Sequence, residues 1–119
     1  MGQNVKVAVI GGGASGVFAA ICAAESSAQA QVDIFEKSQL PLAKVRISGG
    51  GRCNVTHACF DPRALIDHYP RGSQELLGPF HKFCTGDTME WFEDRGVSLT
   101  VEADNRVFPV SNSSETIVD

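Results

Sequence analysis

The reading of this chain turns on the stretch Val5-Lys6-Val7-Ala8-Val9-Ile10-Gly11-Gly12-Gly13-Ala14-Ser15-Gly16. Six residues rich in β-branched side chains run straight into a glycine cluster, which reads as a strand buried on both faces of a parallel sheet, followed by a sharp turn. From residue 14 to about 30 the chain is alanine-rich, with Val17, Phe18, Ile21 and Cys22 on one stripe at helical spacing and Glu25 and Ser26 outside it. A second apolar run, Val32-Asp33-Ile34-Phe35, ends at Glu36. Strand, turn, helix and strand in this order predict a βαβ unit over residues 5–36, and with it an α/β fold of Rossmann type with parallel strands. The uncharged run from Val7 to Ala24, preceded by Lys6, imitates a secretory signal. Gly11, Gly12, Gly13 and Gly16 break the apolar helix such a signal needs, and equally a membrane span of ~20 apolar residues.

Gly11, Gly13 and Gly16 fall on the GxGxxG pattern, in which the first glycine makes the turn, the second lets backbone approach a pyrophosphate and the third packs helix against strand. The candidate phosphate site is therefore Gly11, Gly12, Gly13, Ala14, Ser15 and Gly16, where free amides and the positive end of the helix face an anion. Glu36 stands 20 residues beyond Gly16, placed for ribose hydroxyls. An acid at this position disfavours a 2′-phosphate, so FAD or NAD suits this site better than NADP. Lys37 is placed either beside the adenine or in solvent. No Gly-Lys-Ser/Thr follows the glycines, which excludes the Walker pattern.

A second glycine cluster lies in Lys44-Val45-Arg46-Ile47-Ser48-Gly49-Gly50-Gly51-Arg52-Cys53-Asn54-Val55-Thr56. Three consecutive glycines mark backbone that uses positive φ or lies close to another group. Flanked by Ser48, Arg52 and Asn54, their amides are candidates for an anion-binding nest; the alternative, a flexible linker, fits poorly with the apolar Ile47 and Val55 at its ends. The charge pattern agrees. Residues 37–71 carry six basic and two acidic side chains, and residues 72–119 carry three basic and nine acidic ones.

Together GGGASG, Phe35-Glu36-Lys37 and Ile47-Ser48-Gly49-Gly50-Gly51-Arg52-Cys53-Asn54-Val55-Thr56 resemble the BaiN-like microbial NAD(P)/FAD-dependent flavoproteins. Phe92-Glu93 with Gly96-Val97, and Arg106-Val107-Phe108-Pro109-Val110-Ser111, extend the likeness over the whole chain. The resemblance implies a glutathione-reductase-like FAD domain, FAD as cofactor and NAD(P)H as electron donor. It places Glu36 at the adenosine ribose, and Lys44 with Ser48, Gly49, Gly50, Gly51, Arg52, Cys53 and Asn54 along the isoalloxazine. One departure is visible: the family's Gly-Arg-Lys ahead of the ISGGG string is here Leu42-Ala43-Lys44, with one cation fewer. Arg52 is the candidate cation for the pyrimidine edge of the flavin, where it would favour the anionic reduced ring.

The second half predicts short helices over residues 61–96 and an antiparallel hairpin over 97–110. Asp61 caps the first helix with Pro62 in its opening turn, and Asp87 with Glu90 caps the third, whose Met89, Trp91 and Phe92 are expected in the core. Pro109 limits the returning strand to a sheet edge, so the hairpin is expected to pair with something beyond this chain. Asn112 and Glu115 then cap a helix that is cut short at Asp119, which marks 1–119 as the N-terminal part of a longer FAD-binding domain.

Composition narrows the remaining classes. A net charge of −4 gives no reason to expect nucleic acid or an anionic membrane. Cys22, Cys53, Cys59 and Cys84 contain no CxxC pair, which favours reduced thiols and a cytoplasmic protein. Cys53, His57 and Cys59, with His81 and Cys84, match no common zinc spacing, so no metal site is assigned, and His68 reads as a surface histidine. No residue qualifies as catalytic. The leading expectation is the cofactor-binding portion of an FAD-dependent oxidoreductase, inactive by itself, that acts with NAD(P)H on an activated double bond of a small molecule. The alternative is a self-contained, non-catalytic dinucleotide-binding module.

Overall fold

In the computed structural model, which describes residues 4–119, the opening apolar run is strand β1 (Val5–Ile10) and the alanine-rich segment is helix α1 (Ala14–Ser26). Strand β2 (Ala30–Phe35) lies parallel to β1, in a register that pairs Val5 with Ala30 and Ile10 with Phe35. The turn between β1 and α1 depends on two glycines. Gly11 has φ +104°, a conformation that side chains disfavour, and its N–H donates to the Phe35 carbonyl at 2.8 Å. At Gly16 a Cβ would lie 2.0 Å from the Gly11 carbonyl oxygen, so only hydrogen fits where the first turn of α1 leaves the sheet.

The chain divides into two compact units, one up to Ile47 with Val118, the other Ser48–Ile117 with Asp119. In the first, the expectation that β1 is buried on both faces is not met. Val5, Ile10, Ile34 and Phe35 are all exposed, Ile10 at 81%. A parallel sheet is normally covered on both faces, whereas the two strands of this unit carry α1 and no second helix layer from within the unit. Cys22 likewise faces solvent, and Ala20 is the buried residue of α1.

Helix α2 (Ala43–Gly51) occupies part of the expected flavin loop. Its helical geometry breaks at Ser48 (ψ 150°), where the second unit begins, and Gly49 and Gly50 continue in left-handed conformation. The second unit then holds β3 (Thr56–His57), α3 (Pro62–Ile66), α4 (Ser73–Lys82), α5 (Thr85–Glu93), β4 (Leu99–Val101), β5 (Arg106–Pro109) and α6 (Glu115–Val118). Its core centres on Val107 and Phe108, both 0% exposed, with Leu65, Ile66, Cys53 and Thr85 also buried.

Four local expectations are corrected. Strand β5 is the centre of a three-stranded antiparallel sheet ordered β3-β5-β4, rather than an edge that seeks a partner elsewhere. Pro109 is tolerated there because β3 reaches only Arg106 and Val107, so the missing N–H removes no bond to β3. Helix α5 starts earlier than expected: Cys84 is its N-cap, and Asp87, three residues on, accepts from the Cys84 N–H at 2.8 Å. Asp87 closes the capping box instead of opening the helix. Asn112 does not cap α6; it takes a left-handed turn conformation, φ +56°, and Ser114 precedes the helix. Trp91 and Phe92 are half-buried and stack edge to face, with the Arg95 guanidinium 3.8 Å above the Trp91 ring, so they form a side wall more than a core.

Candidate functional site

In the first unit the glycine turn, the residue after β2 and the start of α2 surround one cavity of about 550 Å³, within the ~300–1,000 Å³ common for cofactor sites. Gly12, Gly13, Ala14, Ser15 and Glu36, read from the sequence as phosphate and ribose positions, line it, and so does Lys44, which the resemblance placed along the isoalloxazine. Gly11 and Gly16 stand behind these residues as the hinge and the close contact. Lys37 does not line the cavity. Ser38, Leu40, Leu42, Ala43 and Val45 complete the wall, though no sequence motif marks them for this role.

Gly13 is the N-cap of α1 and offers no side-chain hydrogen bond to the helix, which leaves the first amides without an internal side-chain acceptor. A Cβ at Gly13 would meet nothing within 4 Å, so backbone is accessible on that side. Glu36 is held from three directions. Its Oε1 accepts from the Gly12 N–H at 2.9 Å, and its Oε2 accepts from the Ser38 hydroxyl at 2.6 Å and the Ser38 N–H at 2.7 Å. The Ser38 hydroxyl, then the Gly12 and Ser38 amides, lower its pKa to about 2, so the carboxylate is ionised throughout the neutral range. Around it the chain folds back: the Leu42 N–H donates to the Gly12 carbonyl at 2.7 Å, with Leu42 in a left-handed conformation, φ +58°.

The second glycine cluster belongs to the second unit and is built differently. Gly49, Gly50 and Gly51 all have positive φ, as does Cys53. A Cβ at Gly49 would come within 2.8 Å of both Phe108 Cε1 and the Asn54 backbone nitrogen, so this glycine serves packing. Gly50 and Gly51 face open space, and the Ser48 carbonyl accepts from the Cys53 N–H at 3.0 Å to close the turn. Arg52 is not a free cation. Its guanidinium lies 3.8 Å over the Phe108 ring and pairs with Glu102, which Arg106 also reaches at 3.5 Å. Arg52, the cation expected at the pyrimidine edge of a flavin, is thus tied within its own unit by Glu102 and Phe108. Cys53 is buried, and burial pushes its thiol pKa up against a smaller opposing contact from Ser48, so thiolate chemistry is disfavoured. The Asn54 amide lies against β3 and β5, positioned to donate to the Thr56 carbonyl at 2.9 Å and the Val107 carbonyl at 3.3 Å.

His57 and His68, which the sequence did not connect, face each other with ring centroids 4.4 Å apart beside a second, polar cleft of about 370 Å³. No three metal-ligating His, Cys, Asp or Glu side chains converge among the described residues, and no described helix is long and apolar enough to cross a membrane.

A parallel βαβ unit whose glycine turn opens a helix, with a carboxylate at the end of the second strand facing the same cavity, defines a nucleotide-binding domain of Rossmann type. The chain belongs to the HI0933-like protein Rossmann domain family, which it matches over residues 5–119. It is 32% identical over 114 residues to the 3-dehydro-bile acid delta(4,6)-reductase of Clostridium scindens, a match that covers 96% of this chain and 27% of that protein. It is 28% identical over 117 residues to the ribosomal RNA dihydrouridine synthase of Escherichia coli, covering 98% and 28% respectively. The chain thus spans about a quarter of the length of these curated relatives. The likeness read from the two glycine motifs stands.

Proposed function

We propose that this chain is the N-terminal, FAD-binding portion of a cytoplasmic, NAD(P)H-linked oxidoreductase that reduces a carbon–carbon double bond activated by a neighbouring carbonyl. The observation that carries the reading is the single cavity shared by the Gly12–Ser15 turn and the ionised Glu36 carboxylate. The amides at the start of α1 meet the pyrophosphate, supported by the positive end of the helix. Glu36 accepts hydrogen bonds from the adenosine ribose, and its negative charge selects against a 2′-phosphate. Lys44, on the same wall, adds a positive charge for the phosphates. FAD, when bound, supplies the hydride chemistry, and the protein's part is to hold and orient it.

The names of both relatives support the substrate class. Each denotes hydrogen added across a ring double bond conjugated with a carbonyl, in a steroid for one and in a pyrimidine for the other. Four free cysteines agree with a reducing compartment.

The test uses the full-length protein. Purified protein is expected to show flavin absorbance, to be bleached by NADH or NADPH without oxygen, and to recover its colour on addition of 2-cyclohexenone but not cyclohexanone. Protein that retains no flavin and gains no thermal stability from FAD would overturn the reading. Stabilisation by ADP or NAD without flavin would favour the non-catalytic module instead.

A further inference from the structure

The Glu36 carboxylate has less free capacity than ribose binding asks of it. A carboxylate offers about four lone-pair directions. Three are taken, one by the Gly12 N–H on Oε1 and two by the Ser38 N–H and hydroxyl on Oε2. A ribose with both hydroxyls brings two further donors, so five would compete for about four places. Two of the resident donors are backbone amides, fixed by the turn. The third sits on a rotor. The Ser38 hydroxyl has a second acceptor within reach, the Leu40 carbonyl at 3.1 Å from its Oγ, and both residues belong to the cavity wall.

We propose that Ser38 is a positioning residue for ribose recognition: its hydroxyl orients the Glu36 carboxylate and yields its place on Oε2 to a ribose hydroxyl by turning to the Leu40 carbonyl. The ligand class is an adenosine diphosphate with both ribose hydroxyls present, and the inference rests on the dinucleotide reading of the first unit. Its consequence concerns discrimination. With Ser38 in place, the second ribose hydroxyl replaces an existing charge-assisted hydrogen bond and gains little. Without the serine hydroxyl, it fills an open place and gains a full bond.

The experiment measures binding of ADP and 2′-deoxy-ADP by calorimetry to full-length protein stripped of nucleotide, in the native sequence and in Ser38→Ala and Ser38→Thr. The preference for ADP over the deoxy analogue is expected to rise about tenfold in Ser38→Ala and to stay native in Ser38→Thr. Carbon-13 NMR should show the Glu36 carboxyl titrating at higher pH in Ser38→Ala, a change that a general loss of stability would not produce. If ADP binds the native protein but the preference is unchanged in Ser38→Ala, the role of Ser38 is overturned while the dinucleotide reading stands. If ADP does not bind the native protein, the dinucleotide reading falls, and this role with it.

Discussion

At Gly16 a hydrogen in place of a side chain lets the first turn of α1 start against the Gly11 carbonyl. Gly16→Ala would press a methyl group to 2.0 Å from a backbone oxygen that cannot swing aside, and urea denaturation is expected to show a loss of about 1–3 kcal/mol. Glu36 yields a pH prediction. Its pKa is depressed from 4.5 to about 2, so its contribution to the fold is fully present above about 4.5 and is lost as pH falls through about 2. The Gly12 and Ser38 amide resonances should shift with a midpoint near 2 in the native protein and show no such step in Glu36→Gln. Both residues were legible in the sequence because their roles follow from spacing. Ser38 was not, since a serine two residues after an acid is commonplace and only the folded turn brings its hydroxyl to the carboxylate. Nor was the tie on Arg52, whose partner Glu102 lies 50 residues away.

Among the elements, the Ser48–Asn54 turn shows how similar glycines carry different burdens. Gly49 and Gly50 both adopt positive φ, which costs any other residue roughly 1–2 kcal/mol. Only Gly49 also lies against Phe108 and the Asn54 backbone. Gly49→Ala should therefore destabilise the second unit by about 1–3 kcal/mol more than Gly50→Ala, measured by chemical denaturation. Helix α5 offers a separate check. Asp87→Ala removes the acceptor for the Cys84 N–H and should cost about 1 kcal/mol, with faster hydrogen exchange at Cys84. The sequence located this helix but misplaced its start, because Asp87 is a good cap residue in isolation and cysteine is a poor one. What decides the start is Thr85, buried with its hydroxyl donating to the His57 carbonyl at 2.9 Å, which anchors the first turn to β3. The central place of β5 was hidden for a related reason: a two-residue strand such as β3 leaves almost no periodic signal.

For the whole molecule, the exposed apolar side chains of β1 and β2 are the feature most at odds with an independent domain. Val5, Ile10, Ile34 and Phe35 belong to parallel strands, which are ordinarily covered on both faces. Residues 1–119 produced alone are expected to bind the dye ANS strongly and to associate as concentration rises in analytical ultracentrifugation, whereas the full-length protein should do neither. Equal dye binding by both would refute the view that the remaining three quarters of a relative-sized protein cover these strands. The sequence by itself determined the βαβ unit, the glycine turn and the position of Glu36, because each rests on short-range periodicity or on spacing within about 30 residues, and the family, because its motif strings recur along the whole chain. Only the tertiary structure decided the division at Ile47 and Ser48, the central β5, the pairing of Arg52 with Glu102 over Phe108, and the Ser38 contact. These features depend on which side chains meet when the backbone is folded, and no local pattern of residue types encodes them.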